Sequence, residues 1–146
     1  MKRRRKPTPH PVAKAVFKLN LARDCLTMGA KMALTDHGSQ QRETLADLGR
    51  ILALGAEIAA RTQTPNKDGL HQCVAEVTRM AQDGGRWDSE WAHQLHTGLE
   101  VAAELLADHT DLAIYFMPAA SRFSDDILRG RDMTGAIVPF DEALAV

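Results

Sequence analysis

The sequence has few aromatic or β-branched residues, only two cysteines and no long apolar run. Phe, Trp and Tyr together make up 5% of its 146 residues, whereas Ala and Leu are abundant. Strands favour aromatic and β-branched side chains, so this composition predicts helices rather than sheets. No apolar stretch approaches the ~20 residues of a membrane span. The charged start is not followed by the apolar core of a signal peptide. We therefore expect an all-α protein without a membrane partner.

The two cysteines, Cys25 and Cys73, fall on or beside the apolar faces of predicted helices. Isolated cysteines in a chain without a secretion signal are typical of a reducing compartment. Free, buried thiols and a cytoplasmic location are the expectation.

The most apolar stretch, at 44–61, predicts a central helix. Only a thin ribbon of its surface is polar, so several neighbouring helices must cover it. Gly49 and Gly55 each cost a helix ~1 kcal/mol relative to Ala, and they indicate places where another helix comes close. The residues of the two predicted apolar stripes are Leu45, Leu48, Ile51, Leu52, Leu54, Ala56, Ile58 and Ala59.

Helical periodicity extends over most of the remaining chain. Further helices are predicted at 12–34, 68–82 and 88–109, the last with Asp88 as its cap. The apolar run at 112–117 is interrupted by Pro118, and a shorter helix follows at 121–128. The prediction is a single-domain helical bundle at 12–146, with about four main helices and short C-terminal helical segments.

The basic residues are concentrated at the start of the chain. Residues 1–38 contain nine Lys/Arg and two Asp/Glu (+7), and residues 39–146 contain nine and seventeen (−8). Residues 1–11 are predicted to form a flexible arm, because repelling cations and three prolines prevent a packed element. Its cations, which neutralise phosphates in nucleic-acid complexes, are Lys2, Arg3, Arg4, Arg5 and Lys6.

Two further surfaces are candidates for contact with proteins. The helix at 12–34 has one apolar face that includes Val12, Val16 and Leu19, and a second that carries Phe17, Met28 and Met32. That face is either buried, so that the helix is covered on two sides, or an adaptable surface for a partner or a second copy. The fourth helix has a polar face that is either solvated or a mimic of phosphates. Its acidic residues are Glu90, Glu100, Glu104 and Asp108.

Catalytic and metal-binding patterns are weak. Glu90-x-x-His93 has the spacing of a di-iron ligand pair, but a second copy and inward carboxylates are missing. His96 and His109 are expected to be structural. No serine has the context of a nucleophile, and no phosphate loop is present. The helices at 44–62 and 68–82 have helix-turn-helix spacing, but the second is acidic and unsuited to DNA. We expect no enzyme, no cofactor and no small-molecule substrate.

The chain resembles small helical proteins of phages and plasmids of proteobacteria, often labelled Fis-like regulators. The similar segments, within residues 2–110, are the basic start at 2–12, Leu45-Ala46-Asp47-Leu48, Gly85-Arg86-Trp87 and Leu99-Glu100-Val101. The resemblance implies origin on a mobile element and a role in regulation or host takeover.

The sequence therefore predicts a non-catalytic macromolecule-binding protein of a mobile element. Its basic arm would contact nucleic acid, and its helical body would engage a protein partner or form a dimer. One alternative is an anti-defence role: inhibition of a host defence or nucleic-acid-processing complex through the acidic face. Another is a small metal-binding helical enzyme.

Overall fold

The computed structural model describes residues 11–34, 41–65, 67–84, 87 and 89–130, without the side chains of residues 22, 25–34, 41 and 89. These residues form five α-helices and one short 3-10 turn, Ser89–Trp91. The described residues contain no strand, so the all-α prediction is confirmed. None of the helices in these ranges has the length and apolarity to cross a membrane. The helices are α1 (Pro11–Leu34), α2 (Gln41–Arg61), α3 (Lys67–Gln82), α4 (Ala92–Asp108) and α5 (Thr110–Leu128).

Helix α2 lies at the centre of the bundle, and α3, α4 and α5 all pack against it. Leu45, Leu52 and Ile58 have no exposed surface, which confirms that this helix is covered on most sides. The polar side chains near the C-terminal end of this helix form specific contacts. The Arg61 Nε donates to the Glu57 Oε1 at 2.7 Å, and the Arg61 guanidinium lies 4.4 Å from the centre of the Phe116 ring.

Glycines mark the places where helices approach α2 most closely, as the sequence indicates. A Cβ at Gly49 would lie 2.7 Å from the Ile127 Cδ1, and a Cβ at Gly55 would lie 2.7 Å from the Ala102 Cβ and 3.1 Å from its Cα. Gly55 is therefore needed where the backbone of α4 lies close. The Gly49–Ile127 and Arg61–Phe116 contacts together show that α5 runs antiparallel to α2.

The C-terminal helix differs from the prediction, because Pro118 lies inside α5 and does not end it. Proline removes one intrahelical hydrogen bond and costs a helix interior about 3 kcal/mol. Pro118 lies on the exposed side of α5, and the carbonyl that loses its partner is that of the half-buried Ile114. The opposite face is buried against α2 and offsets the cost, at up to ~1.5–3 kcal/mol per large side chain. Its buried residues include Ala113, Phe116, Ala119, Ala120, Phe123 and Ile127.

Helix α1 is covered on one side only over its described side chains, so the two-sided burial considered above is wrong there. Leu21 is buried and Phe17 is half-buried against the core. Phe17 thus faces the body of its own chain. The opposite side carries exposed apolar residues, which are Val12, Val16 and Leu19.

Helix α4 begins at Ala92, later than predicted, after the 3-10 turn. Trp91 occupies the cap position without a side-chain hydrogen bond. Asp88, the predicted cap, lies outside the described residues. So do Lys2, Arg3, Arg4, Arg5 and Lys6, the side chains of Cys25, Met28 and Met32, and the C-terminal residues 131–146.

Replacement of Gly55 by Ala should destabilise the bundle. The added methyl overlaps the Ala102 Cβ and Cα, and overpacking of this kind typically costs about 1–3 kcal/mol. Gly69, also helical, has no atom within 4 Å of an added Cβ. Gly69→Ala is the matched control and should raise the free energy of unfolding by ~0.5–1 kcal/mol through helix propensity alone. Urea denaturation of both variants measures the difference, and equal effects would contradict the close approach.

Candidate functional site

The outer face of α1 carries an apolar row, which we call the outer seam. Its members are Val12, Val16 and Leu19, with exposed fractions of 65%, 51% and 71%. Their spacing of i, i+4 and i+7 places them on one side of the helix, as in helices that dock into a groove. The seam therefore has the pattern of a binding surface.

Contacts on the inner side of α1 keep the outer seam facing away from the core. Phe17 and Leu21 pack against the core. At one end the Lys14 Nζ lies 3.0 Å from the Asp111 Oδ1, and further along an Asp24 oxygen lies 4.0 Å from the Arg50 Nη2. These ion pairs are partly exposed, so each contributes less than ~1 kcal/mol and mainly fixes orientation.

Exposed cations share α1 with the outer seam: Arg23 lies one turn beyond Leu19 on the same side, and Lys18 lies on a flank of the helix. Lys18 and Arg23 are both exposed, and the Arg23 Nη2 donates to the Asn20 Oδ1 at 3.3 Å. The five cations of residues 2–6 precede the helix in the sequence. A partner that covers the seam would meet positive charge at its rim.

Helix α4 carries an exposed acidic row of Glu100, Glu104 and Asp108, as its periodicity predicts. We call it the acidic stripe. Successive members are four residues apart, so the stripe extends over about 12 Å of helix. Glu90, in the preceding turn, is also exposed. Within the described ranges, Glu100, Glu104 and Asp108 form no ion pair, whereas the carboxylates that do include Asp24, Asp47, Glu57, Glu76, Asp83 and Asp111.

A groove of about 420 Å³ lies between the first halves of α3 and α4. Leu70 and Cys73, exposed by 1% and 4%, form its floor. The Cys73 Sγ lies 3.5 Å from the Gln94 carbonyl oxygen, to which it donates. Burial raises the pKa of the Cys73 thiol, so the thiolate is disfavoured and nucleophilic chemistry is not indicated. The other lining residues are Gly69, Gln72, Trp91, His93, Gln94, Thr97, Gly98 and Val101.

Helix α3 does not have the surface of a DNA-reading helix. Its only arginine, Arg79, is bound by Glu76, one turn earlier in the helix, and by Asp83, in the turn that follows the helix. Glu76, Thr78 and most of the apolar residues of α3 are buried. The guanidinium is therefore already paired with carboxylates of its own chain, which disfavours a role in DNA contact.

The histidines singled out above are dispersed. His93 and His96 are exposed, and His109 is half-buried at the junction of α4 and α5. Among the residues that the structure describes, no group of three or more His, Cys, Asp or Glu side chains could hold a metal ion. Because His96 is exposed, it does not have the buried position expected of a structural histidine.

Comparison of the chain with models of protein families, with curated proteins and with solved structures finds no match.

Two surfaces were not predicted from the sequence. The outer seam was missed because α1 is apolar on two sides, and the sequence does not say which side faces the core. The groove was missed because it needs two helices separated along the chain. The sequence signal that could have indicated it is Gly69, a glycine near the start of the predicted helix at 68–82.

The Cys73 thiol should react slowly in the folded protein. Because its pKa is raised, ionisation destabilises the fold. The neutral thiol therefore contributes to the stability of the fold. This contribution is fully present below the pKa of the unfolded thiol and is lost as the pH rises through the higher pKa of the folded thiol. Iodoacetamide at pH 8 should label Cys73 at least about tenfold more slowly than in denaturant. Mass spectrometry of the tryptic peptide 68–79 measures this site alone, and equal rates would contradict burial.

Proposed function

We propose that this chain is a non-catalytic binding protein that docks on an acidic protein partner through the outer seam. Its arm, residues 2–6, contacts a polyanion such as nucleic acid. The mobile-element origin implied by the resemblance is part of the same proposal. Cytoplasmic location follows from the proposed partners and the free thiol.

The observation that carries the proposal is the exposure of three aliphatic side chains in one row. Full burial of a Val or Leu side chain is worth about 1.5–3 kcal/mol. Since these are already partly covered, docking of the seam would contribute roughly 3–5 kcal/mol before ordering costs. Such a row is long enough to anchor a partner but too small to hold one without polar contacts.

The charge around the seam favours an acidic partner over a second copy. Arg23 lies one turn beyond Leu19 on the seam side, Lys18 is exposed on a flank of the same helix, and five cations precede α1 in the sequence. Two seams facing each other would bring these cations together, whereas an acidic rim would be attracted to them. A homodimer through Phe17 is also less favoured, because that ring packs against its own core.

A double substitution of the seam tests the protein contact. Val16→Ser plus Leu19→Ser should remove binding, while the free energy of unfolding changes by less than ~0.5 kcal/mol because both residues are exposed. Leu128→Ser, at an apolar residue exposed by 47% on α5, is the matched control.

The measurement is affinity purification from native cells with quantitative mass spectrometry. Proteins captured by the original chain and by Leu128→Ser, but lost from the seam variant, are expected to include an acidic protein that binds the purified chain directly. If every captured protein survives the seam substitutions, the seam is not the docking surface.

A second candidate function is favoured by the acidic stripe, whose members have no ion pair with the described residues. Uncompensated like charges at i, i+4 spacing destabilise a helix slightly. A basic, nucleic-acid-binding surface on another protein would relieve that repulsion. This chain would then act as a phosphate mimic that inhibits a host defence or nucleic-acid-processing complex.

Salt-dependent DNA binding separates the two functions. If the five arm cations contact phosphates, the logarithm of the DNA association constant should fall with the logarithm of the salt concentration at a slope of about −4.5. The affinity should then fall roughly 500-fold between 50 and 200 mM salt. Fluorescence anisotropy with a labelled duplex measures the slope. Replacement of all five arm cations by Gln should abolish this salt dependence. Arg122→Gln plus Arg129→Gln, at exposed cations of the body, should not.

The phosphate-mimic function gives the opposite result. It predicts no retention on DNA, together with capture of a host complex that is lost on Glu100→Lys plus Glu104→Lys and retained by the seam variant.

A further inference from the structure

We propose that the groove between α3 and α4 is a binding site for a small, uncharged aromatic molecule with a hydrogen-bonding edge. The groove lies away from the outer seam, and the acidic stripe continues along α4 beyond its rim, because Glu100 is one turn after Thr97 on the same side. A small-molecule site here goes beyond the macromolecular contacts proposed above. The proposal rests on the lining of the groove and on one glycine.

The groove combines an apolar floor with a polar rim. Leu70 and Cys73 are buried beneath it, and the half-buried Trp91 offers an indole at one end. Exposed amide, hydroxyl and imidazole groups form the rim, and they belong to Gln72, His93, Gln94 and Thr97. An apolar interior with a few polar groups is the usual composition of a small-molecule site.

The size and charge of the groove define the class of ligand. Its volume of about 420 Å³ falls in the range of ~300–1,000 Å³ typical of small-molecule sites. None of its lining residues is Asp, Glu, Lys or Arg. A charged ligand would therefore lose hydration without gaining an ion pair, whereas a neutral ring could stack on Trp91 and exchange hydrogen bonds with the rim.

Gly69 is the second observation. It lies in α3, lines the groove, and has no atom within 4 Å of the position of a Cβ. Close packing therefore does not require glycine here, in contrast to Gly55. A side chain at position 69 would meet open space beside the groove, so the glycine leaves this part of the lining bare at a cost to its own helix.

Titration with N-phenyl-1-naphthylamine, an uncharged planar diarylamine, tests the site. Its fluorescence should increase saturably at one probe per chain, with a Kd of roughly 100 μM or tighter. Backbone amide signals of Gln72, Thr97 and Gly98 should shift in parallel in heteronuclear NMR spectra.

Gly69→Leu should weaken the probe at least about tenfold by filling the groove. Gln82→Leu adds the same side chain at an exposed position outside the groove and should leave the Kd unchanged. Val16→Ser plus Leu19→Ser removes apolar surface from the seam and should also leave it unchanged. The absence of saturable binding, equal binding by Gly69→Leu, or shifts confined to Val12, Val16 and Leu19 would overturn the proposal.

Discussion

The close packing of α4 and α5 onto α2 is the constraint on which the rest of the structure depends. Gly55 lets the Ala102 backbone approach, and Gly49 accommodates Ile127 and Phe123. Three helices can then cover α2 at once, and its large aliphatic residues lose almost all contact with water. Because these contacts are short, small changes in side-chain volume at the crossing points disturb the packing of the whole core.

The position of α1 follows from that arrangement. Helices α3, α4 and α5 already cover α2, so α1 packs mainly on α4, and over its described side chains it adds only one side to the core. Phe17 and Leu21 supply that side. Val12, Val16 and Leu19 are left outward, and Arg23 lies one turn beyond them on the same side. The candidate binding surface is thus a consequence of a core that is complete without the second side of α1.

The groove arises in a similar way. Gly98 of α4 meets both Cys73 of α3 and Leu52 of α2, which draws the three helices together below the groove. Above this contact the first turns of α3 and α4 carry Gly69 and exposed polar residues, so nothing fills the space between them. The same small residues that tighten the core thereby set the depth of a surface cavity.

Periodicity was sufficient to predict the class, the central helix and the outward direction of Glu100 and Glu104. It failed at Pro118, where burial of one face of α5 outweighs the cost of a proline inside the helix. It also failed at α1, whose two apolar sides are equivalent until the neighbouring helices are placed. Local signals predict elements well, whereas the choice of which apolar face is covered is made by tertiary packing.

Hydrogen exchange of the isolated chain, followed by mass spectrometry, tests most directly whether α2 is the scaffold from which α1 is presented. The account predicts that amides at 45–59 exchange last, with the protection of global unfolding, while amides of 15–21 exchange earlier through local detachment of α1. Exchange of α2 as fast as α1, or protection centred on α1, would contradict it.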